Sequence, residues 1–248
     1  MRKLCVLSPC RAVRMLAALG LMSYSLPAAT IHLSFDGTSA SVAINRVVDN
    51  VNWYDTSAEV FYMTQLADGT FAGDLLPTGT SFFAFCIEPR EFISPGTSYW
   101  YTVASLSQGT TNIGGMGVTK ANELRELFGR FYPVFGVPLD QQHAAALQIA
   151  IWEIVREDSG TLNVYGGNTR FRNESVAGTI ALAQTYLDQI DGHGPLARGL
   201  LALISGTPSV PGTQDLVVQE AVPEPGTLGL AAFACVAFLG VIRRRLRA

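Results

Sequence analysis

Residues 80–87, reading Thr-Ser-Phe-Phe-Ala-Phe-Cys-Ile, constrain the fold more than any other stretch of the chain. The run has the length of a strand and is apolar at both odd and even positions. Successive side chains on a strand point to opposite faces, so a strand of this kind has to be covered on both sides. Other segments of the same region are β-like as well. Residues 30–35, 41–48, 59–64 and 98–104 are rich in β-branched and aromatic side chains, with Gly and Pro between them. After 118 the texture turns helical. One helix is expected over 120–131, with Leu124, Leu127, Phe128 and Phe131 on one face and Thr119 as its cap. A second is expected over 141–157 behind Asp140, and a third over 176–190, where Ile180, Ala183, Leu187 and Ile190 are helically spaced. Residues 215–220 return to strand. The expected fold class is α+β: a β-sandwich or barrel-like domain with a helical insertion.

The two ends are unlike this body. Residues 1–14 carry Arg2, Lys3, Arg11 and Arg14 and no acid, 15–26 are mostly apolar, and Ala28 and Ala29 are small. That order reads as a secretory signal peptide over 1–29, the alternative being a retained anchor helix, for which the apolar run is short. A cut after Ala29 places Pro27 in an unusual position, which leaves the cleavage site open by a few residues. At the other end an apolar run at 227–242 is followed by Arg243, Arg244, Arg245 and Arg247. Its 16 residues span roughly 24 Å as a transmembrane helix, short of a bilayer core of about 30 Å, and flanking arginines snorkel and hold the terminus in the cytoplasm. Val222, Pro223, Glu224, Pro225 and Gly226 stand just before it. String, apolar segment and arginine-rich end together resemble the PEP-CTERM sorting signal of Gram-negative, exopolysaccharide-producing bacteria, over 222–248. The resemblance implies an exosortase-type sorting enzyme as partner and removal of the tail near Pro223, Glu224 and Pro225. It also implies a transient inner-membrane anchor and a final place at the cell surface or in the extracellular matrix. Residues 206–213, rich in Gly, Pro, Ser and Thr, read as a linker, so the body spans 30–205 with a final strand at about 214–220.

Residues 30–222 hold nine of the 17 Lys and Arg but 19 of the 20 Asp and Glu. The body is therefore near −10, against −3 for the whole chain. A surface of that sign does not neutralise phosphates, so nucleic acid is not an expected partner. No metal cluster, phosphate loop or paired-carboxylate signature stands out, and no cofactor is expected. Cys5 and Cys10 precede the signal core and Cys235 lies in the tail, leaving Cys86 as the body's one cysteine. Such a thiol is buried and inert, paired between chains, or reactive.

On the 141–157 helix, Gln142, Glu153, Arg156 and Glu157 gather on a polar face. Gln148 lies roughly 140° from Glu153 and falls among Ala144, Ala145, Ile151 and Trp152. A buried carboxamide without partners costs on the order of 1–3 kcal/mol. Taken singly, a buried cysteine is ordinarily a small core hydrophobe, and a buried glutamine ordinarily bonds backbone. Taken together, their contexts resemble the thioester domain of bacterial surface proteins and adhesins. That family carries an aromatic or aliphatic residue, Cys and an apolar residue, matched here by Phe85, Cys86 and Ile87. It pairs them with Gln-x-Ala-apolar-Trp on a later helix, matched by Gln148, Ala150, Ile151 and Trp152. A looser likeness runs from about 80 to 220 and includes Tyr132, Pro133, Gln214 and Asp215. Leu147 stands where the family often has Thr, and the stalk domains and wall-sorting signal of Gram-positive members have no counterpart in these 248 residues, so host-tissue adhesion is not carried over.

The resemblance implies a Cys86–Gln148 thioester, formed with loss of ammonia. An amine or hydroxyl of an extracellular polysaccharide or protein would attack it at the Gln148 carbonyl, releasing the Cys86 thiol. This is single-turnover attachment, not enzymatic turnover. Water destroys a thioester, so a dry site is expected, with Phe82, Phe83, Phe85, Trp152 and Trp100 or Tyr101 as shields and Ala150 allowing close approach of strand and helix. Two other classes stay open. A cysteine hydrolase needs a histidine base beside Cys86, and His143, on the same helix, lies about 140° from Gln148. A non-covalent matrix or carbohydrate-binding structural protein would hold Cys86 and Gln148 as plain core. Glu88 and Glu91 read as solvated loop charges.

Overall fold

One strand organises the architecture. In a computed structural model that describes residues 29–71, 81–110, 113–132, 138–158, 160–205 and 213–220, β1 (Thr30–Val47) runs unbroken for 18 residues. The two β-like segments expected at 30–35 and 41–48 are thus one strand. Register shifts at Phe35/Gly37 and Ser39/Val42 bend it, with Ala40 at φ 53° inside the second. Bulges of this kind add local twist and re-aim a strand. The first half of β1 pairs with both β2 (Tyr54–Gln65) and β4 (Thr97–Ser105), and its last residues pair with β5 (Arg170–Arg172).

β3 (Ser81–Cys86), β6 (Leu200–Ser205) and β7 (Leu216–Gln219) complete the sheet in the order β2-β3-β7-β6-β4-β1, and the β1–β2 pairing closes it. The result is a six-stranded antiparallel barrel with β5 appended to the far end of β1. Closure removes the free edges an open sheet would present. Three helices, α1 (Gly117–Phe131), α2 (Gln141–Arg156) and α3 (Thr179–Leu187), lie in the chain between β4 and β6, as a helical insertion. α1 starts three residues earlier than expected and is preceded by Met116, so Thr119 is not its cap. β5 and β6 were not marked by the sequence pattern, and α3 is shorter than the helical spacing over 176–190 implied.

β3 is covered on both sides. Phe82, Ala84 and Cys86 share the face of Met63 and Phe61 across the β2–β3 ladder, inside the barrel. Phe83 and Phe85 face outward, where Phe85 meets Phe128 and Tyr132 edge-on at 5.6 and 5.8 Å. α2 is buried at every position from Ala144 to Arg156, packed between the β1–β2 hairpin and the other two helices. The polar face expected on that helix is therefore no solvent face: Glu153, Arg156 and Glu157 are all buried. All but the last residue of the expected signal peptide at 1–29, the expected sorting motif at Pro223, Glu224 and Pro225, the segment 227–242 and the four terminal arginines lie outside the described residues, as does most of the expected linker. Among the described residues no helix is long and apolar enough to cross a membrane.

Candidate functional site

Cys86 is the last residue of β3, and there the barrel wall is incomplete. The β2–β3 ladder stops at Phe61↔Ala84, while on the other side β3 continues pairing with β7 through Cys86↔Leu216. The place where β2 would bond Cys86 is taken by a side chain. The Cys86 backbone N–H donates to Gln148 Oε1 at 2.9 Å, and Gln148 Nε2 donates to the Cys86 carbonyl at 2.8 Å. The carboxamide thus acts as a one-residue strand, satisfying a donor and an acceptor that would otherwise be buried and unpaired. α2 aims it there. Asp140 caps the helix by accepting from the His143 backbone N–H at 3.0 Å, and Gln148 follows two turns later.

The surroundings are dry. Cys86, Gln148, Phe85, Ile87, Ala150 and Ile151 are all fully buried, and Trp152 nearly so. The sulfur hangs three bonds from the nitrogen that Gln148 Oε1 accepts from, and both residues are fully buried. Of the expected shields, Tyr101 is fully buried, whereas Trp100 lies on the outside of the barrel, 39 % exposed and stacked on His32 at 4.4 Å. Trp100 is not part of the site: on a barrel strand alternate residues face out, and Trp100 has the outward parity.

Burial pushes the Cys86 thiol up to about 12. Three groups pull it back: the Trp152 indole N–H, the Arg46 guanidinium and the Glu88 backbone N–H, while the Glu88 carboxylate pushes it further up. The indole Nε1 makes no hydrogen bond of normal geometry, yet it lies close enough to the sulfur to draw its pKa down. Trp152 is boxed between the Arg46 guanidinium, 4.6 Å from its ring centroid, and Phe171, stacked at 6.3 Å. Glu88 is 1 % exposed and pairs with the buried Arg156 at 3.2 Å, so it is no solvated loop charge. Glu91 is partly buried, and burial and then Asp215 raise its carboxyl above the ordinary range. Carboxylates sink in here because Arg156, from the buried helix, needs a partner.

Sequence reasoning brought Cys86, Gln148 and Trp152 together and set Glu88 near them as a solvated charge, but it missed Arg46 beside the sulfur and Arg156 as the buried partner of Glu88. Arg46 is the next-to-last residue of a strand 40 residues before Cys86, where an arginine ordinarily points to water, and no local pattern marks it. The histidines stay apart. His143 is half exposed and bonds Asp140 at 2.7 Å, and His32 bonds Asp68 at 2.8 Å. A hydrolase's thiol–imidazole pair is therefore not formed by either.

No family model, curated protein or solved structure matches this chain. The reading of the site rests on its own geometry.

Proposed function

We propose that the protein is an exported surface or matrix protein that attaches itself covalently through an internal Cys86–Gln148 thioester, after sorting by an exosortase-type enzyme. The observation that carries this reading is the reciprocal hydrogen-bond pair between the Gln148 carboxamide and Cys86, in a site without exposed atoms of either residue. It ties the carboxamide to the backbone of the residue that carries the thiol, and burial keeps water from both. In the forming step Sγ attacks the Gln148 carbonyl carbon, the C–N bond breaks, and nitrogen leaves as ammonia carrying the thiol proton. No electrons are gained or lost. In the using step an acceptor amine or hydroxyl attacks the same carbon, the C–S bond breaks, and an amide or ester forms while the acceptor's proton returns Cys86 to a thiol. The Trp152 N–H and Arg46 suit both steps, because each passes through negative charge on sulfur. An ester or amide to a matrix polymer fits the expected destination, with Pro223, Glu224 and Pro225 as the sorting motif.

A second reading is favoured by the same two hydrogen bonds: a carboxamide that already replaces a strand is satisfied and has no need to react. The protein would then be a non-covalent matrix or carbohydrate-binding module. Intact mass separates the two. The covalent reading expects the purified chain to be lighter than its sequence by one ammonia, with methylamine adding at Gln148 and freeing one thiol. A chain at full sequence mass that ignores methylamine leaves the non-covalent reading standing.

A further inference from the structure

The strand end that carries Arg46 also floors an open cleft of about 330 Å³. Val48, Val51, Tyr54, Pro89, Arg90 and Phe92 form its walls. One wall is the β1–β2 turn, whose Asp49 and Asn50 take positive φ; the other is the segment just after Cys86. Three features of this cleft ask for a ligand. Arg46 is 3 % exposed, yet among the described residues no carboxylate lies within ion-pair distance of it. It donates to the Pro89 carbonyl and lies over the Trp152 ring, neither of which cancels its charge. Desolvation lowers its pKa to about 10, the mark of a buried cation short of a counter-charge. At the rim Arg90 is partly exposed, shared with Asp49 at 3.2 Å and the Val48 carbonyl at 3.3 Å. Finally, the walls leave large apolar side chains in water, with Phe92 67 %, Tyr54 51 % and Val51 42 % exposed.

We propose that this cleft binds an acidic sugar residue of a matrix polysaccharide, the uronate carboxylate on Arg46 and Arg90 and the sugar ring against Tyr54 and Phe92. Guanidinium groups match a carboxylate in charge and fork geometry, and flat aromatic faces cover the apolar face of a pyranose. The site has one ligand-facing charge at its floor and apolar walls, which is how ligand clefts secure orientation. A body near −10 does not steer polyanions from afar, so recognition has to be local. The cleft also lies in the right place. Arg46 lines the cleft and also lies over the Trp152 ring and acts on the Cys86 thiol, so a sugar seated there would adjoin the proposed thioester. That delivery role rests on the thioester reading; the binding itself does not.

The test uses the full chain with Cys86→Ala, which cannot form a thioester, titrated calorimetrically with an oligogalacturonate and with its methyl ester. The acid is expected to bind, the neutral ester at least about tenfold more weakly, and Arg90→Gln and Phe92→Ala each to weaken the acid by about tenfold. Both side chains are at the surface, so both variants are expected to fold; Arg46→Gln is read only where its melting curve matches the parent's. Equal binding of acid and ester, no binding, or full affinity in both surface variants overturns the proposal. So does tighter binding of an oligoglutamate, which would make the occupant an acidic protein segment. The mass of the parent chain is read beside this. A missing ammonia without uronate binding defeats the cleft alone, and uronate binding at full sequence mass defeats the thioester alone.

Discussion

Gln148 meets two demands of Cys86 at once, since one carboxamide serves both its backbone donor and its backbone acceptor. Its place was legible because a polar residue on an apolar helical face has to be answered by something, and the only anomaly of matching kind was a cysteine on a doubly buried strand. Arg46 and Glu88 were not legible, because charged residues in strand ends and loops are ordinarily solvated and their burial depends on a partner from a distant helix. Five residues beyond Gln148 on the same helix, Glu153 is less well served. It is fully buried, its Oε1 accepts from the Asn163 backbone N–H at 2.7 Å, and its Oε2 has no partner. Burial first, and the nearby Glu157, raise its pKa from 4.5 to about 8, against the Asn163 hydrogen bond. The folded state therefore holds this proton more tightly than the unfolded chain does. The stability it lends is complete below about pH 4.5 and is lost as pH rises through about 8. Glu153→Gln should flatten the fall in melting temperature across that window and raise stability at pH 8 and above by a few kcal/mol. A variant with the parent's pH profile would show that Glu153 is not the group that titrates.

The elements that build the site differ in how visibly they announce themselves. α2 was readable nearly to the residue, because Asp140 caps it and the apolar positions repeat without interruption. β6 and β5 escaped notice. Leu-Leu-Ala-Leu-Ile-Ser has no alternation to mark it as strand, and a three-residue strand has no pattern at all. β1 looked like two strands because the bulges interrupt its period, and those bulges are what carry its second half to α2 and Arg46 to the cleft. The cap of α2 stands two turns before Gln148, at the start of the helix that carries Gln148 to Cys86. Asp140→Ala should cost about 1 kcal/mol in chemical denaturation, and Asp140→Asn much less, because Asn caps comparably. The Ala variant should also slow methylamine uptake or thiol release at Cys86 little, if the cap serves stability alone, and markedly if helix register gates the chemistry. The pair of measurements assigns the cap its role.

At the scale of the whole molecule the helical insertion packs broadly on the barrel, and at one point of that contact a side chain fills the wall gap in place of a strand. On the proposed reading a covalent bond would close that gap, joining residues 62 apart in sequence and tying the barrel to α2. Treated as a loop-closing crosslink of that span, it would contribute about 4 kcal/mol by restricting the unfolded chain. A domain of this size shifts by roughly 2–4 °C per kcal/mol, so opening the bond should lower the melting temperature by roughly 10 °C. Methylamine supplies the comparison within one protein. The treated chain should melt lower, show one new thiol and match the Cys86→Ala variant, which itself should not respond to methylamine. The hydrogen-bonded bracket predicts otherwise: methylamine would change neither thiol count nor melting point. Cys86→Ala would then cost only the loss of a small buried side chain, with Gln148 still bonded to the backbone at position 86. The two accounts share every contact now in place and differ only in whether the last bond is made, so the thermal shift, unlike the fold, distinguishes them.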